Sequence, residues 1–300
     1  MTARGNRWAG DAAGVPLLVA LVVMVIWGGT PVATRIATED LDPIVVAFAR
    51  TVVGGLLALP LLAAMSFGLP ERARHRWLLA ASAVSGFVAF PILFTLGQER
   101  TSAMHGGIIL AGLPIVTGIY SALVERRRPS RLWFIGCAVA LAGETMLVAL
   151  RTDSADEAPL IGDLLVVLSA LVVATGYVAG ARLAASGYPS LATTLYGILA
   201  GALLLAVPAI VLLAGSGFPS GSTRSWAAVA VLATVTSIVG YVGWYWALAR
   251  GGVARISTLQ FLMPVSGVVL AALILDERLT LPLAVAAVTI LAGVAIAQRR

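Results

Sequence analysis

The chain has 300 residues, 60% hydrophobic and 11% charged, with a mean hydropathy of +0.98 and a net charge of +6. Soluble domains carry about 45–50% apolar and about 25% charged residues, so a soluble globular protein is excluded and the chain reads as an all-α integral membrane protein. At about 20 residues per span, ten spans leave only short loops and no large extramembrane domain.

Apolar windows fall at 15–36, 43–65, 77–97, 101–124, 132–150, 161–181, 190–213, 226–248, 254–275 and 281–297. Arg4 and Arg7 precede the first window, but its apolar run is long for a cleaved signal peptide and nine more windows follow, so it is expected to be retained. With the N-terminus inside, cytoplasmic segments hold 14 arginines, and outer segments hold five: Arg35, Arg100, Arg151, Arg224 and Arg278. That bias predicts both termini on the cytoplasmic side of the inner (cytoplasmic) membrane. The positive net charge then needs no nucleic acid. Trp226 and Trp246 bracket the eighth window and are expected as interfacial anchors, as are Trp77 and Trp133 at span starts.

The second half echoes the first. A shift of 150 residues lays Pro114 on Pro264, Ala122 on Ala272, Leu123 on Leu273 and Leu141-Ala142-Gly143 on Leu291-Ala292-Gly293. Upstream, at a shift of 147, Gly29 matches Gly176 and Arg35-Ile36-Ala37 resembles Arg182-Leu183-Ala184. Five spans per copy would invert the second copy in the membrane. The loops agree: Glu125-Arg126-Arg127-Arg128 is basic, and its counterpart Leu275-Asp276-Glu277-Arg278 is more acidic. The expected fold is ten transmembrane helices as two inverted five-helix repeats, 15–150 and 161–298, joined by an outer linker at 151–160. Inverted repeats are typical of secondary transporters, with the site near the midplane between the halves.

These residues, with Trp27-Gly28, Pro43, Leu113-Pro114, Thr117, Gly162-Asp163-Leu164-Leu165, Ser169-Ala170, Tyr177, Tyr245 and Pro264-Val265 in their order along the chain, resemble the EamA-like branch of the drug/metabolite transporter superfamily. Two positions depart from that pattern, Arg127 where the first half would carry a glutamate and Ala286 where the last span would carry a glycine. The resemblance implies a ten-helix bundle moving small organic metabolites through a cavity lined largely by the third, fourth, eighth and ninth spans.

The candidate substrate residues are Trp27, Arg50, Phe90, His105, Pro114, Tyr241, Gln260 and Pro264. Pro114 and Pro264 occupy equivalent places on small-residue helix faces, where a proline frees backbone carbonyls; close helix packing is the competing reading of those faces. Gln260 adds a donor and an acceptor. Phe87, Phe90 and Phe94 form one stripe beside Pro91, and Tyr241 with Trp244 and Tyr245 faces them from the eighth window. Tyr245 is expected nearer the cytoplasmic surface than Tyr241. Trp27, Arg50, His105 and Glu144 share a depth of roughly 6–14 Å below the outer surface by helical rise. Charges inside spans usually pair or face a cavity, so Arg50 and Glu144 are expected either as a structural ion pair or in substrate binding and coupling.

The function expected is secondary transport of small organic metabolites, with export as the direction, by alternating access and without covalent chemistry. All 20 basic residues are arginine. The absence of lysine excludes a P-loop and a lysine Schiff base. Cys137 is the single cysteine and His75 and His105 the only histidines, so neither a metal nor a cofactor is expected. The expected partners are a small-molecule substrate and the lipid bilayer; the sequence leaves room for a homodimer. The alternatives are a non-transporting sensor or scaffold and an intramembrane hydrolase. A rhomboid-like protease would need a Gly-x-Ser motif in a span, whereas Gly215-Ser216 and Gly221-Ser222 lie in an outer loop.

Overall fold

The structure, a computed structural model, describes residues 7–98, 100, 106, 109–126, 128–150, 160–217, 219–274 and 280–299. Among these there is no strand. Eight helices are long and apolar enough to cross a membrane: α1 Gly14–Ala37, α2 Pro43–Ala64, α3 Ala73–Gly97, α5 Arg131–Ala149, α6 Leu160–Ala185, α7 Ser190–Gly215, α8 Thr223–Gly251 and α9 Val253–Ile274. Two shorter apolar helices, α4 Leu113–Glu125 and α10 Leu281–Ala297, stand at the fourth and tenth expected windows. The 151–160 linker, save Leu160, and the 275–279 loop lie outside the described residues.

Local chemistry sets the helix starts. Asp42 accepts the Ile44 amide at 2.8 Å and Pro43 opens α2, an N-cap followed by a proline whose missing N–H costs nothing there. Ser130 and Ser222 cap α5 and α8 by accepting the Trp133 and Ser225 amides. Gly252, at φ 84°, ends α8 in a conformation that favours glycine. α1 breaks at Gly29, just before Thr30-Pro31. α9 holds a 3-10 turn over Thr258–Phe261.

α6 runs through the middle, with Val166, Val173, Ala174, Tyr177 and Leu183 all buried. α3, α4 and α8 pack on it, and α1 packs on α8 and α9. α2 pairs with α7, and α5 with α10. The α5–α10 crossing is backbone on backbone: a Cβ on Gly136 would strike Ala297 and Gly293, and one on Gly293 would strike Ala140 and Gly136. Small residues permit such approach where lipid offers no hydrophobic drive between helices. The outward faces are apolar, with Leu18, Leu56, Leu203, Val207, Leu273 and Leu281 exposed, as a bilayer requires.

At the end of the bundle where α1 meets the start of α8, the Asp40 carboxylate accepts the Ser225 hydroxyl at 2.8 Å and the Ser222 amide at 3.1 Å, and Glu39 faces Arg224 at 3.3 Å. The Ser222 and Ser225 hydrogen bonds hold the Asp40 carboxyl below the usual range. The staple is therefore complete at neutral pH and is lost only as acid protonates that carboxylate.

The expected tryptophan anchors divide. Trp77 is exposed, and Trp246 lies under the Arg250 guanidinium at 5.2 Å. Trp133 is a correction. It is buried, its ring covers Gly118 and its N–H donates to the Ala254 carbonyl at 2.7 Å. An indole needs only one acceptor to be buried, and α9 supplies it.

Candidate functional site

Two wide turns shape the centre of the bundle. α3 carries a π-helical turn over Val84–Ala89, and α8 another over Leu232–Val239. A π turn interrupts the regular backbone ladder, frees acceptors, and recurs at functional sites. In α8 the Leu232 carbonyl accepts both the Thr236 hydroxyl, at 2.6 Å, and the Ser237 hydroxyl, at 2.9 Å. The Thr236 carbonyl accepts the Trp27 indole N–H at 2.9 Å. Gly240 admits that indole, since a Cβ there would strike the ring. In α3 the turn brings Gly86 against Gly176, while Gly197 and Gly201 of α7 receive the ring and the carbonyl of Phe87.

Between these turns lies a cavity of about 350 Å³. α2 lines it with Ala47, Arg50 and Thr51; α3 with Gly86, Phe87, Phe90, Pro91, Phe94 and Thr95; α7 with Ile198; and α8 with Ser237 and Tyr241. Arg50 Nη2 donates to Ser237 Oγ at 3.3 Å. The Ser237 proton is committed to the Leu232 carbonyl, so its lone pairs face the guanidinium. Among the described residues no carboxylate pairs with Arg50. An uncompensated charge inside a span costs about 2.5–3.5 kcal/mol on insertion scales, which sets Arg50 apart from the arginines at helix ends.

Beside the cavity the rings form one cluster. Phe87 and Tyr241 are 4.5 Å apart, Trp27 and Tyr241 5.2 Å, and Tyr177 and Trp244 5.8 Å between centroids. The side chains of Tyr241 and Gln260 lie close to the Tyr177 hydroxyl. Polar groups therefore extend from Ser237 and Arg50 at the cavity, past Tyr241 and Tyr177, to Gln260 on α9. The Gln260 Oε1 and Trp244 Nε1 atoms are buried without a partner. Further along α8 the packing closes: Tyr245, Leu248 and Ile256 are buried, Ser82 donates to the Tyr245 hydroxyl at 2.9 Å, and Gly180 lies against the Tyr245 ring.

Five of the expected residues thus come together: Trp27, Arg50, Phe90, Tyr241 and Gln260. The rest do not. Pro114 and Pro264 each follow a helix break, at Gly112 and at the 3-10 turn, but neither lines the cavity. Pro114 is buried, and Pro264 adjoins the place where Gly28 of α1 touches Met263, Ser266 and Gly267 of α9. Glu144 does not meet Arg50: α5 packs on α10 while α2 packs on α7, and Glu144 Oε2 has no partner. Equal depth did not bring the two together because they project from helices with different neighbours. His105 lies outside the described residues. Among the described residues the cavity is walled by α2, α3, α7 and α8; α3 and α8 are two of the four spans that the resemblance implies. Trp244, expected beside Tyr241, joins the ring cluster, and Tyr177 and Ser237 join the site without having been proposed for it. The run Thr234-Val235-Thr236-Ser237 within an apolar helix was the available signal for Ser237. Larger grooves, of about 390 Å³ between α1 and α8 and about 450 Å³ beside Arg126 and Arg128, hold no charge away from helix ends.

Comparison with known proteins gives the relationships. The profile of the EamA-like transporter family matches residues 15–149 and again 160–298. An uncharacterized transporter, YdeK, of Bacillus subtilis is 28% identical over 98% of this chain and 97% of its own. A "probable terminal-alkyne amino-acid exporter" of Streptantibioticus cattleyicolor is 26% identical over 94% and 93%, and a "probable amino-acid metabolite efflux pump" of Escherichia coli 26% over 88% of each. A solved crystal structure superposes with a TM-score of 0.81 at 21% identity, over 95% of this chain and 96% of its own, a likeness of fold alone.

Proposed function

We propose, for a chain that belongs to the EamA-like transporter family, secondary export of small organic metabolites by alternating access through the Arg50 cavity. The observation that carries this reading is the Arg50 guanidinium, held by Ser237 with no counter-charge among the described residues, on a cavity walled by aromatic rings. A sensor or scaffold has no use for an unneutralised cation beside an empty space within the bundle. No covalent step is assigned.

Two five-helix repeats of opposite orientation are the organisation we infer, with ten crossings and 15–150 and 161–298 as the units. Two separate family matches favour it. So does the α5–α10 crossing: Gly136 with Gly293 and Gly143 with Ala286 exchange under a shift of 150, as do Gly143 with Ile290 and Gly293 with Ala140. The two π turns overlap under the same shift. With both termini in the cytoplasm of an inner-membrane protein, the cavity belongs to the outer half and the Ser82–Tyr245 layer seals the inner half. Moving a solute outward then requires that layer to part and α2, α3 and α8 to close over Arg50. Single cysteines at 126 and 154 in a Cys137→Ser background test the orientation: 126 should label only from the cytoplasm and 154 only from outside, and the reverse pattern would overturn it.

Energy must come from a gradient, and Glu144 is the acid placed to exchange protons, since its Oε2 is held by no partner. Glu144→Gln should abolish concentrative transport driven by a pH gradient while leaving downhill flux. Unchanged accumulation by the variant would remove Glu144 from coupling. The proposal as a whole is tested by comparing metabolites inside and outside cells that lack or overproduce the protein. It expects specific solutes to build up inside on deletion, and identical profiles would contradict it.

A further inference from the structure

The cavity also carries information about what it takes, an inference that rests on the transporter reading above. Among the described residues its charged group is a single guanidinium, and no acid or second base lines it. One fixed positive charge in a water-poor space favours one negative charge on the solute and disfavours a cation. Guanidinium matches the planar, bidentate geometry of a carboxylate better than a point anion. The Ser237 hydroxyl, with its proton donated to Leu232, turns its lone pairs to Arg50 and fixes that side chain. Opposite, Phe87, Phe90, Phe94 and Tyr241 offer ring faces and edges suited to an aromatic or compact apolar body. No described carboxylate stands in the lining to receive an ammonium group. At about 350 Å³, the space is near the low end of the range for ligand pockets, about 300–1,000 Å³, so large drug-like molecules are excluded.

We propose that the transported solute is a small organic monoanion, a carboxylate on an aromatic or compact apolar body, with the carboxylate on Arg50 and the body among the phenylalanine rings. Three probes share one body and differ in charge: phenylacetate, phenylalanine and phenethylamine. Their binding to the purified wild-type protein in detergent at pH 7.5 is read by calorimetry. Phenylacetate is expected to bind at least about tenfold more tightly than either of the others, the scale of one charge-assisted contact. Arg50→Gln should erase that preference, and Arg50→Lys should retain part of it.

Equal binding of all three, or preference for the amine or the zwitterion, overturns the proposal. So does a phenylacetate preference that survives Arg50→Gln. Should that variant not fold, the wild-type charge series alone decides between the monoanion and the others. Counterflow in proteoliposomes separates this inference from the function beneath it. Phenylacetate that binds at Arg50 but is not moved upholds the anion site and overturns transport; phenylalanine moved in preference to phenylacetate upholds transport and overturns the anion.

Discussion

Trp27→Ala is expected to cost about 3–5 kcal/mol of stability, the range for removing a large buried aromatic side chain. The indole joins α1 to α8 through the Thr236 carbonyl and touches Tyr177, Tyr241 and Trp244. Its removal opens a void in the middle of the bundle and takes the indole donor from the Thr236 carbonyl. Trp27→Phe separates the two contributions: most of the ring contact remains, the N–H is lost, and the expected cost falls to about 1–3 kcal/mol, that of one unsatisfied buried acceptor. Thermal unfolding in detergent reads both variants. A melting temperature for Trp27→Ala within error of the wild type would contradict the place given to this residue.

Gly293→Leu is expected to be nearly as damaging, at or above the upper end of the roughly 1–3 kcal/mol usual for overpacking. The new side chain would meet the backbone of Ala140 and Gly136 rather than the end of a rotatable side chain, so only separation of α5 from α10 can relieve it. Gly136→Leu strikes the same crossing from the other helix. Residues in contact do not contribute independently, and the double variant should therefore lose less than the sum of the two single losses. Gly215→Ala, where an added Cβ meets nothing within 4 Å, is the control and should stay within about 0.5 kcal/mol of the wild type. Strict additivity at the crossing would indicate that the two glycines do not share one interface.

What the sequence revealed follows from the physics of each feature. Span positions were legible because a bilayer demands long apolar runs, and the expected 190–213 and 281–297 windows return as Ser190–Gly215 and Leu281–Ala297. The aromatic half of the site was legible because Phe87, Phe90 and Phe94 repeat at helical spacing, and Tyr241 stands apart from its apolar neighbours. Partnerships across the bundle were not. Depth along a helix follows from residue number, but direction around the bundle depends on which helices pack together, so Arg50 found Ser237 instead of Glu144. The π turns left little mark in composition, yet by adding a residue they reset the register of α3 and α8. That is how Thr236 comes to serve Trp27 while Ser237 serves Arg50. Trp133 was misread because a tryptophan at a helix start has the same spacing whether it faces lipid headgroups or the Ala254 carbonyl.

The central claim is that solute crosses the membrane by way of the Arg50 cavity, and filling that cavity tests it most directly. Thr51 is half-buried on the cavity wall, so Thr51→Trp places an indole in existing space. Wild-type and variant protein are reconstituted in proteoliposomes loaded with the small-molecule fraction of a cell extract, and the solutes that leave are measured by mass spectrometry. The prediction is that the wild type releases a defined set of solutes, whereas Thr51→Trp, with a melting temperature at or above that of the wild type, releases none of them. Release of the same solutes at the same rate by the folded Thr51→Trp protein would place the path elsewhere.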